Sequence, residues 1–161
     1  MRVIGIDPGL SGAIAVLKDK KIQEIFDVPV MPEGKKNKRQ LNSAQLVKLI
    51  KDIISDNEET VVVVEHVTAM PGQGVTSMFN FGQTFGAIKG ICAALGLPIF
   101  FVRPAKWKKY FNLINSQKDA SRTRAIEIFP YFSSNLSKKK DSNKADAILI
   151  ASFFHETYKN D

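Results

Sequence analysis

The chain opens with Arg2-Val3-Ile4-Gly5-Ile6-Asp7-Pro8-Gly9-Leu10-Ser11-Gly12. The apolar run up to Ile6 predicts a short strand, which ends at an acid and a sharp turn. Residues 13–17 are apolar again and predict the returning strand, and residues 22–28 predict a third strand after the polar turn 18–21. Three strands joined by tight turns predict an antiparallel meander.

The rest of the chain predicts alternating helices and strands. Residues 31–40 hold proline, glycine and four basic residues and predict a mobile basic loop. Residues 61–64 are four consecutive valines, which predict a strand buried on both faces that ends at Glu65. The other predicted elements are helices over 41–55, 78–95, 105–111, 121–129 and about 142–158, a loop over 66–77 and a strand over 99–102.

This order of elements predicts a single mixed α/β domain over 1–161. The three-strand antiparallel meander and the parallel strands would form one sheet flanked by helices. Ligands of such sheets gather at the carboxyl ends of the strands.

The charge is concentrated in the carboxyl-terminal part of the chain. Of the net +7, residues 101–161 contribute +6, from twelve basic and six acidic residues. A basic region of this kind favours a polyanionic partner such as nucleic acid, although a solvated surface would also explain it. The single cysteine, Cys92, excludes an internal disulfide. The sequence shows no signal peptide or membrane span, so we expect a cytoplasmic protein of bacterial or viral origin.

Two acids follow predicted strands directly. Asp7 ends the first strand, and the turn after it would leave its side chain facing a cleft. Glu65 ends the valine strand, where an unpaired buried carboxylate would be costly. Either acid alone is more often a structural residue than a ligand, so each needs support from the rest of the sequence.

Two further acids lie around the start of the last predicted helix. Asp146 shares a helix face with Leu149, Ile150 and Phe153, so it lies on the stripe that should pack against the sheet. A cation or a basic partner would explain an acid there. Asp141 cannot share that face from inside the same helix, but it could do so as the N-cap residue. Capping alone would also explain it.

Together the four acids indicate oxygen ligands for Mg²⁺ or Mn²⁺. Two such ions can activate a water and stabilise the leaving oxygen of a phosphodiester. The sequence lacks a Cys/His cluster for zinc and the Gly-Lys-Ser/Thr ending of a P-loop.

Three stretches resemble motifs of the RuvC family of Holliday-junction resolvases. They are the opening Val3–Gly12 stretch, Val63-Val64-Glu65 and Lys144-Ala145-Asp146-Ala147-Ile148-Leu149-Ile150-Ala151. Further motifs resemble the chloroplast branch of that family, namely Trp107-Lys108, the Lys-Asp-x-Ser-Arg stretch from Lys118 to Arg122, Phe129-Pro130 and Lys139-Lys140-Asp141. The motifs cover most of the chain in the right order.

The resemblance implies an RNase H-like fold, a homodimer, about two Mg²⁺ or Mn²⁺ ions per site and paired nicks in four-way DNA junctions. The catalytic and metal-binding acids would be Asp7, Glu65, Asp141 and Asp146, and a basic residue near the scissile phosphate would be Lys118. Bacterial members have their third acid where this chain has Asn143, whereas the chloroplast-like spacing selects Asp141. Both assignments of that position stay open at this point.

The predicted helix 78–95 carries two patterns. Phe81, Phe85, Ile88, Cys92 and Leu95 form an apolar seam, and Gly82, Gly86 and Gly90 form another row. Each glycine inside a helix costs about 1 kcal/mol relative to alanine, so the row suggests another backbone packed close by. Packing on the protein's own sheet would explain this equally, but the resemblance favours a two-fold dimer interface.

The predicted DNA contacts are mostly basic. Phe79, at the start of the same helix, would stack on unpaired bases, although a core position would explain it too. The residues predicted to contact DNA phosphates are Lys35, Lys36, Lys38, Arg39, Lys106, Lys108, Lys109, Arg122, Lys138, Lys139 and Lys140. Trp107 and Phe111 are expected to pack inward.

Three other functions remain compatible with the sequence. One is a related RNase H-like nuclease or transposase that acts on other nucleic acids. Another is a non-catalytic junction-binding protein, which would gain nothing from four carboxylates near phosphates. The third is a sugar-kinase-like ATPase, for which the chain looks too short to hold two domains.

Overall fold

The computed structural model describes residues 1–158. Its centre is a five-stranded sheet with the strand order β3-β2-β1-β6-β7. These strands are β1 (Arg2–Ile6), β2 (Ala13–Lys18), β3 (Lys21–Asp27), β6 (Thr60–Glu65) and β7 (Ile99–Val102). The first three pair antiparallel, whereas β6 and β7 continue the sheet in parallel.

Helices cover both faces of this sheet. They are α1 (Ser43–Ile53), α2 (Val75–Ala94), α3 (Pro104–Tyr110), α4 (Ala120–Ile128) and α5 (Ser142–Thr157). The meander, the parallel strands and the flanking helices confirm the predicted mixed sheet. None of the helices in residues 1–158 has the length and apolar character needed to cross a bilayer.

The alternation of side chains along the strands creates two cores. Val3, Val61 and Val63 face the layer that contains α3, α4 and α5. Ile4 and Val62, one position along in each strand, face α1 and α2 instead. Because successive side chains of a strand point to opposite faces, Gly5 and Asp7 share the α5 face with Val3.

Gly5 allows α5 to lie directly on β1. A Cβ atom at Gly5 would come within 3 Å of the Ala147 carbonyl oxygen and 2.8 Å from the Ala151 Cβ. A side chain at this position would therefore force the helix away from the sheet. The close contact fixes the height of α5 above the carboxyl end of β1, where Asp146 lies.

The structure corrects one predicted element. Residues 31–40 are a hairpin rather than a mobile loop, because β4 (Val30–Pro32) pairs antiparallel with β5 (Arg39–Leu41). The Glu33 N–H donates to the Lys38 carbonyl and closes the turn.

Two further differences concern helical segments. The long helix begins at Val75, three residues before the predicted start. Two short 3₁₀ segments, Pro130–Leu136 and Lys139–Asp141, connect α4 to α5.

Candidate active site

Two carboxylates lie side by side at the carboxyl edge of the sheet. Ile6 pairs with Val64 in the parallel register of β1 and β6, so Asp7 and Glu65 follow at the same level. Both continue the alternation that faces α3 and α5. The turn after Asp7 is tight, because a Cβ at Gly12 would collide with the Asp7 carbonyl oxygen.

Asp146 joins these two acids from α5. The other members of its predicted helix face, Leu149, Ile150 and Phe153, are buried in the core on the sheet, as the spacing predicted. Asp146 is therefore held between this core and the edge of the sheet. The Coulomb effects described next link its carboxylate to both Asp7 and Glu65.

Repulsion between carboxylates adds to the effect of burial at this site. Burial and, after it, repulsion from Glu65 and Asp146 raise the pKa of Asp7 to about 7. Burial also raises the pKa of Glu65, as does repulsion from Asp146. Like charges in a half-buried group are an unfavourable arrangement unless a cation compensates them.

A neutral donor holds Glu65 in place. Trp107 Nε1 donates a hydrogen bond to Glu65 Oε2 over 2.7 Å, which partly offsets the effect of burial on the pKa of Glu65. Burial likewise raises the pKa of Asp146, and the neighbouring Ser121 hydroxyl opposes that increase. Ser121 Oγ itself donates to the Lys118 carbonyl over 3.2 Å. Both acids thus lie beside groups that add no charge of their own.

Two lysines lie near the acids without forming ion pairs with them in residues 1–158. Lys118 lowers the pKa of Asp7 and Asp146, and Lys108 lowers that of Glu65 and Asp146. Both lysines line a cleft of about 340 Å³ together with Asp146 and Trp107. The site thus combines a group of acids with basic side chains at its rim.

The Asp141 carboxylate makes its contacts with lysines outside the group of three acids. It occupies the N-cap position of α5, but its side chain makes no cap hydrogen bond there. Its carboxylate instead accepts from the Lys138 backbone N–H and from Lys144 Nζ. Burial alone would raise the pKa of Asp141, but these two interactions outweigh it and lower that pKa.

Asn143, the alternative third position, faces the turn that follows Asp7. Its Nδ2 donates to the Ser11 carbonyl over 2.7 Å. From the other side, Arg39 Nη2 donates to Ser11 Oγ over 3.2 Å. The turn that carries Asp7 is therefore tied both to α5 and to the basic hairpin.

In residues 1–158, no three Asp, Glu, His or Cys side chains lie close enough together to surround one ion as they stand. Asp146 nevertheless lies close enough to Asp7 and Glu65 to raise the pKa of both. Mutual repulsion opposes their closer approach, and a divalent cation would remove that repulsion.

Most of the predicted DNA contacts are available at the surface. The exposed side chains are Lys35, Lys36, Lys38, Arg39, Lys106, Lys109, Lys138, Lys139, Lys140 and Phe79, and Lys108 is half-buried. Phe79 is 65% exposed, which argues against a core position. Arg122 differs, because its guanidinium binds both oxygens of Asp119 and the carbonyls of Leu136 and Ser137.

The two patterns on α2 face different surroundings. Ile88 and Cys92 are buried in the core that this helix shares with the sheet. At Gly82, Gly86 and Gly90, an added Cβ would meet nothing within 4 Å in the described chain. The seam from Phe85 to Leu95 therefore packs on the protein's own core, whereas the glycine row faces outward.

Two contacts at the site leave no trace in the local sequence patterns. The spacing correctly placed Trp107 inside the core but gave no sign that its N–H reaches Glu65. The contact between Arg39 and Ser11 was equally hidden, because it depends on the hairpin. A buried tryptophan needs a partner for its N–H, and that requirement was the one available signal.

No protein-family model matches the chain. A Prochlorococcus marinus (strain MIT 9312) protein named crossover junction endodeoxyribonuclease RuvC is 29% identical over 94% of both chains. Among solved structures, Thermus thermophilus RuvC in complex with Holliday junction substrate aligns with a TM-score of 0.63 and 19% identity, covering 97% of this chain and 95% of that one. The fowlpox virus Holliday junction resolvase aligns with a TM-score of 0.55 and 15% identity, covering 98% of this chain and 100% of that one.

These comparisons confirm the resemblance of the chain to the RuvC family and its RNase H-like fold. The relatives match nearly from end to end, so the resemblance includes the edge of the sheet that carries the acids.

Proposed function

We propose that this chain, which resembles the RuvC family along nearly its whole length, is a metal-dependent endonuclease that resolves Holliday junctions. The observation that carries the proposal is the group of half-buried carboxylates Asp7, Glu65 and Asp146 at one edge of the sheet, where each of the three has a raised pKa. Pure DNA binding would gain nothing from acids placed near phosphates.

The residues of the site fit a hard divalent cation. Asp7, Glu65 and Asp146 supply oxygen donors, which Mg²⁺ and Mn²⁺ prefer, and we propose Asp141 as a fourth. When bound, about two such ions would activate a water and stabilise the leaving oxygen of the phosphodiester. To take part, Asp141 must exchange its contacts with Lys138 and Lys144 for the ion.

The other residues of the site position the DNA. Lys118 lies close enough to Asp7 and Asp146 to shift their pKa, so a phosphate drawn to its ammonium group would lie beside the acids. Lys108 likewise lies close enough to Glu65 to lower its pKa, so it could hold a phosphate beside that acid. The exposed lysines of the β4–β5 hairpin would bind a junction arm, and Phe79 would stack on unpaired bases.

We further propose that the protein acts as a homodimer through the outward glycine row of α2. Glycines without neighbours in their own chain let a second backbone approach closely. Two-fold symmetry would place two copies of the site on opposite strands of a junction.

The direct test is incubation with a synthetic four-way junction in which each strand is labelled in turn. We expect paired, symmetric nicks that require Mg²⁺. Flaps and RNA–DNA hybrids serve as competing substrates, and equal cleavage of these would indicate a nuclease of another specificity. Binding without any nick would indicate a junction-binding protein.

The choice between Asp141 and Asn143 can be tested by substitution. We expect Asp141→Asn to lower cleavage by about 10- to 100-fold, the range typical of groups that support a metal site. Asn143→Ala removes only the bond to the Ser11 carbonyl and should lower cleavage less than Asp141→Asn does. Single-turnover rates at saturating Mg²⁺ measure both effects. A larger loss in Asn143→Ala would assign the third position to Asn143.

The hairpin lysines should contribute to junction binding through charge alone. Lys35→Gln/Lys36→Gln should weaken binding and reduce the slope of log K against log salt by about 2, since each phosphate contact contributes about 0.9. Lys21→Gln/Lys51→Gln is the matched control, because it removes the same charge from exposed residues. An equal effect of the two pairs on the salt dependence would show that the hairpin does not contact DNA.

A further inference from the structure

Trp107 makes a polar contact inside an otherwise apolar core. It is the only tryptophan of the chain and is fully buried. The core cluster that contains it also includes Phe111, Ala125 and Leu149. Its Nε1 lies 2.7 Å from Glu65 Oε2, although the two residues are 42 positions apart.

The indole has little freedom to move. It belongs to α3, which begins with Pro104 in its first turn, directly after β7. Because β7 pairs in register with β6, α3 starts from the same sheet edge that presents Glu65. Close packing on all sides then fixes the direction of the N–H bond.

We propose that Trp107 is a positioning residue that holds the Glu65 carboxylate in the orientation required for cation binding. Its N–H occupies Oε2 and leaves Oε1 free for the ion, so that Glu65 is prepared before the ion arrives. The proposal rests on the proposed function, because it assigns Glu65 to the metal site. It adds a residue that touches neither the ion nor the DNA.

A purely structural tryptophan would fill space without affecting metal binding, and two variants separate these roles. Trp107→Phe keeps an aromatic ring in the core but loses the donor. Phe111→Leu disturbs the same core, since Phe111 is 5% exposed, and it has no polar group to lose. Thermal unfolding measures the packing cost of each variant.

We expect Trp107→Phe to raise the Mg²⁺ concentration for half-maximal cleavage by about tenfold, as is usual when a ligand loses its supporting hydrogen bond. Its affinity for the junction in EDTA should equal that of the wild type. Phe111→Leu should leave the Mg²⁺ requirement unchanged. An unchanged Mg²⁺ requirement in Trp107→Phe, or an equal increase in Phe111→Leu, would overturn the proposal.

A second measurement needs no substitution of Trp107. Because the chain has one tryptophan, its indole N–H gives a single side-chain cross-peak in a ¹⁵N–¹H spectrum. We expect Mg²⁺ to shift this peak in the wild type and in the surface control Asp52→Asn, but not in Glu65→Gln. A peak that Mg²⁺ does not shift in the wild type, or that it shifts equally in Glu65→Gln, would contradict the proposal.

The two experiments also separate this proposal from the proposed function. A Glu65-dependent shift in a protein that cuts no junction would support the role of Trp107 and reject the nuclease. Mg²⁺-dependent junction cleavage, with an indole peak that Mg²⁺ does not shift, would support the nuclease and reject the role of Trp107.

Discussion

Asp7→Asn is expected to abolish junction cleavage and, at the same time, to make the folded protein more stable at neutral pH. The loss of a cation ligand removes several kcal/mol of transition-state stabilisation. Since each 1.4 kcal/mol changes a rate tenfold, cleavage should fall by about 1,000-fold or more. Junction binding in EDTA should persist, because the basic residues are untouched.

The gain in stability follows from the direction of the Asp7 pKa shift. Folding raises that pKa from its ordinary value of 3.8 to about 7, mainly through burial and then through repulsion by Glu65 and Asp146. Between pH 3.8 and about 7, Asp7 is therefore protonated in the folded state but ionised in the unfolded state. The stability that this proton contributes is fully present below pH 3.8 and is lost as the pH rises to about 7.

Asparagine carries no charge at any pH, so the variant avoids this loss. Without divalent cations, we expect Asp7→Asn to exceed the wild type in unfolding free energy by about 1–3 kcal/mol above pH 7. Near pH 4 the two proteins should be closer in stability. Urea denaturation across this pH range measures the difference. A less stable variant at neutral pH would contradict the cost inferred for the buried Asp7 charge.

Gly86→Leu should convert the proposed dimer into a monomer and abolish paired nicking. The glycine row of α2 faces outward, so leucine at its centre would separate two helices that pack through it. The monomer itself should fold, because an added Cβ meets no other group of the chain and leucine favours a helix by close to 1 kcal/mol over glycine. We expect paired nicks to fall by at least about tenfold, since one site alone cannot cut two strands together.

Sedimentation and nick mapping measure these two effects. Ala44→Leu is the matched control, because it adds similar bulk to an exposed position of α1. A variant Gly86→Leu that remains a dimer would place the interface elsewhere. Paired nicking by a monomer would show that the reaction does not need two sites in one assembly.

The position of the three acids at one edge of the sheet could be predicted, because it depends on local sequence patterns. Asp7 and Glu65 each end a strand, and Asp146 lies on the apolar stripe of a helix. A parallel register then places the first two acids at the same level. The side-chain alternation along β1 and β6 already encodes which face they share.

Other features depend on contacts that local patterns do not contain. The hairpin was missed because β4 and β5 have three residues each and lie in a polar, basic stretch with too few positions to show alternation. Asp141 was placed correctly at the start of α5. The preceding 3₁₀ segment, however, offers its carboxylate the Lys138 N–H in place of the helix. The bond between Trp107 and Glu65 depends on the docking of α3, which no single segment determines.

Anomalous diffraction from crystals grown with Mn²⁺ tests most directly whether Asp7, Glu65 and Asp146 bind cations together. We predict at least one manganese peak within coordination distance of oxygens from all three side chains, with Trp107 still bonded to Glu65. Peaks confined to other parts of the surface, with the three carboxylates turned away from one another, would contradict the metal site and the nuclease function built on it.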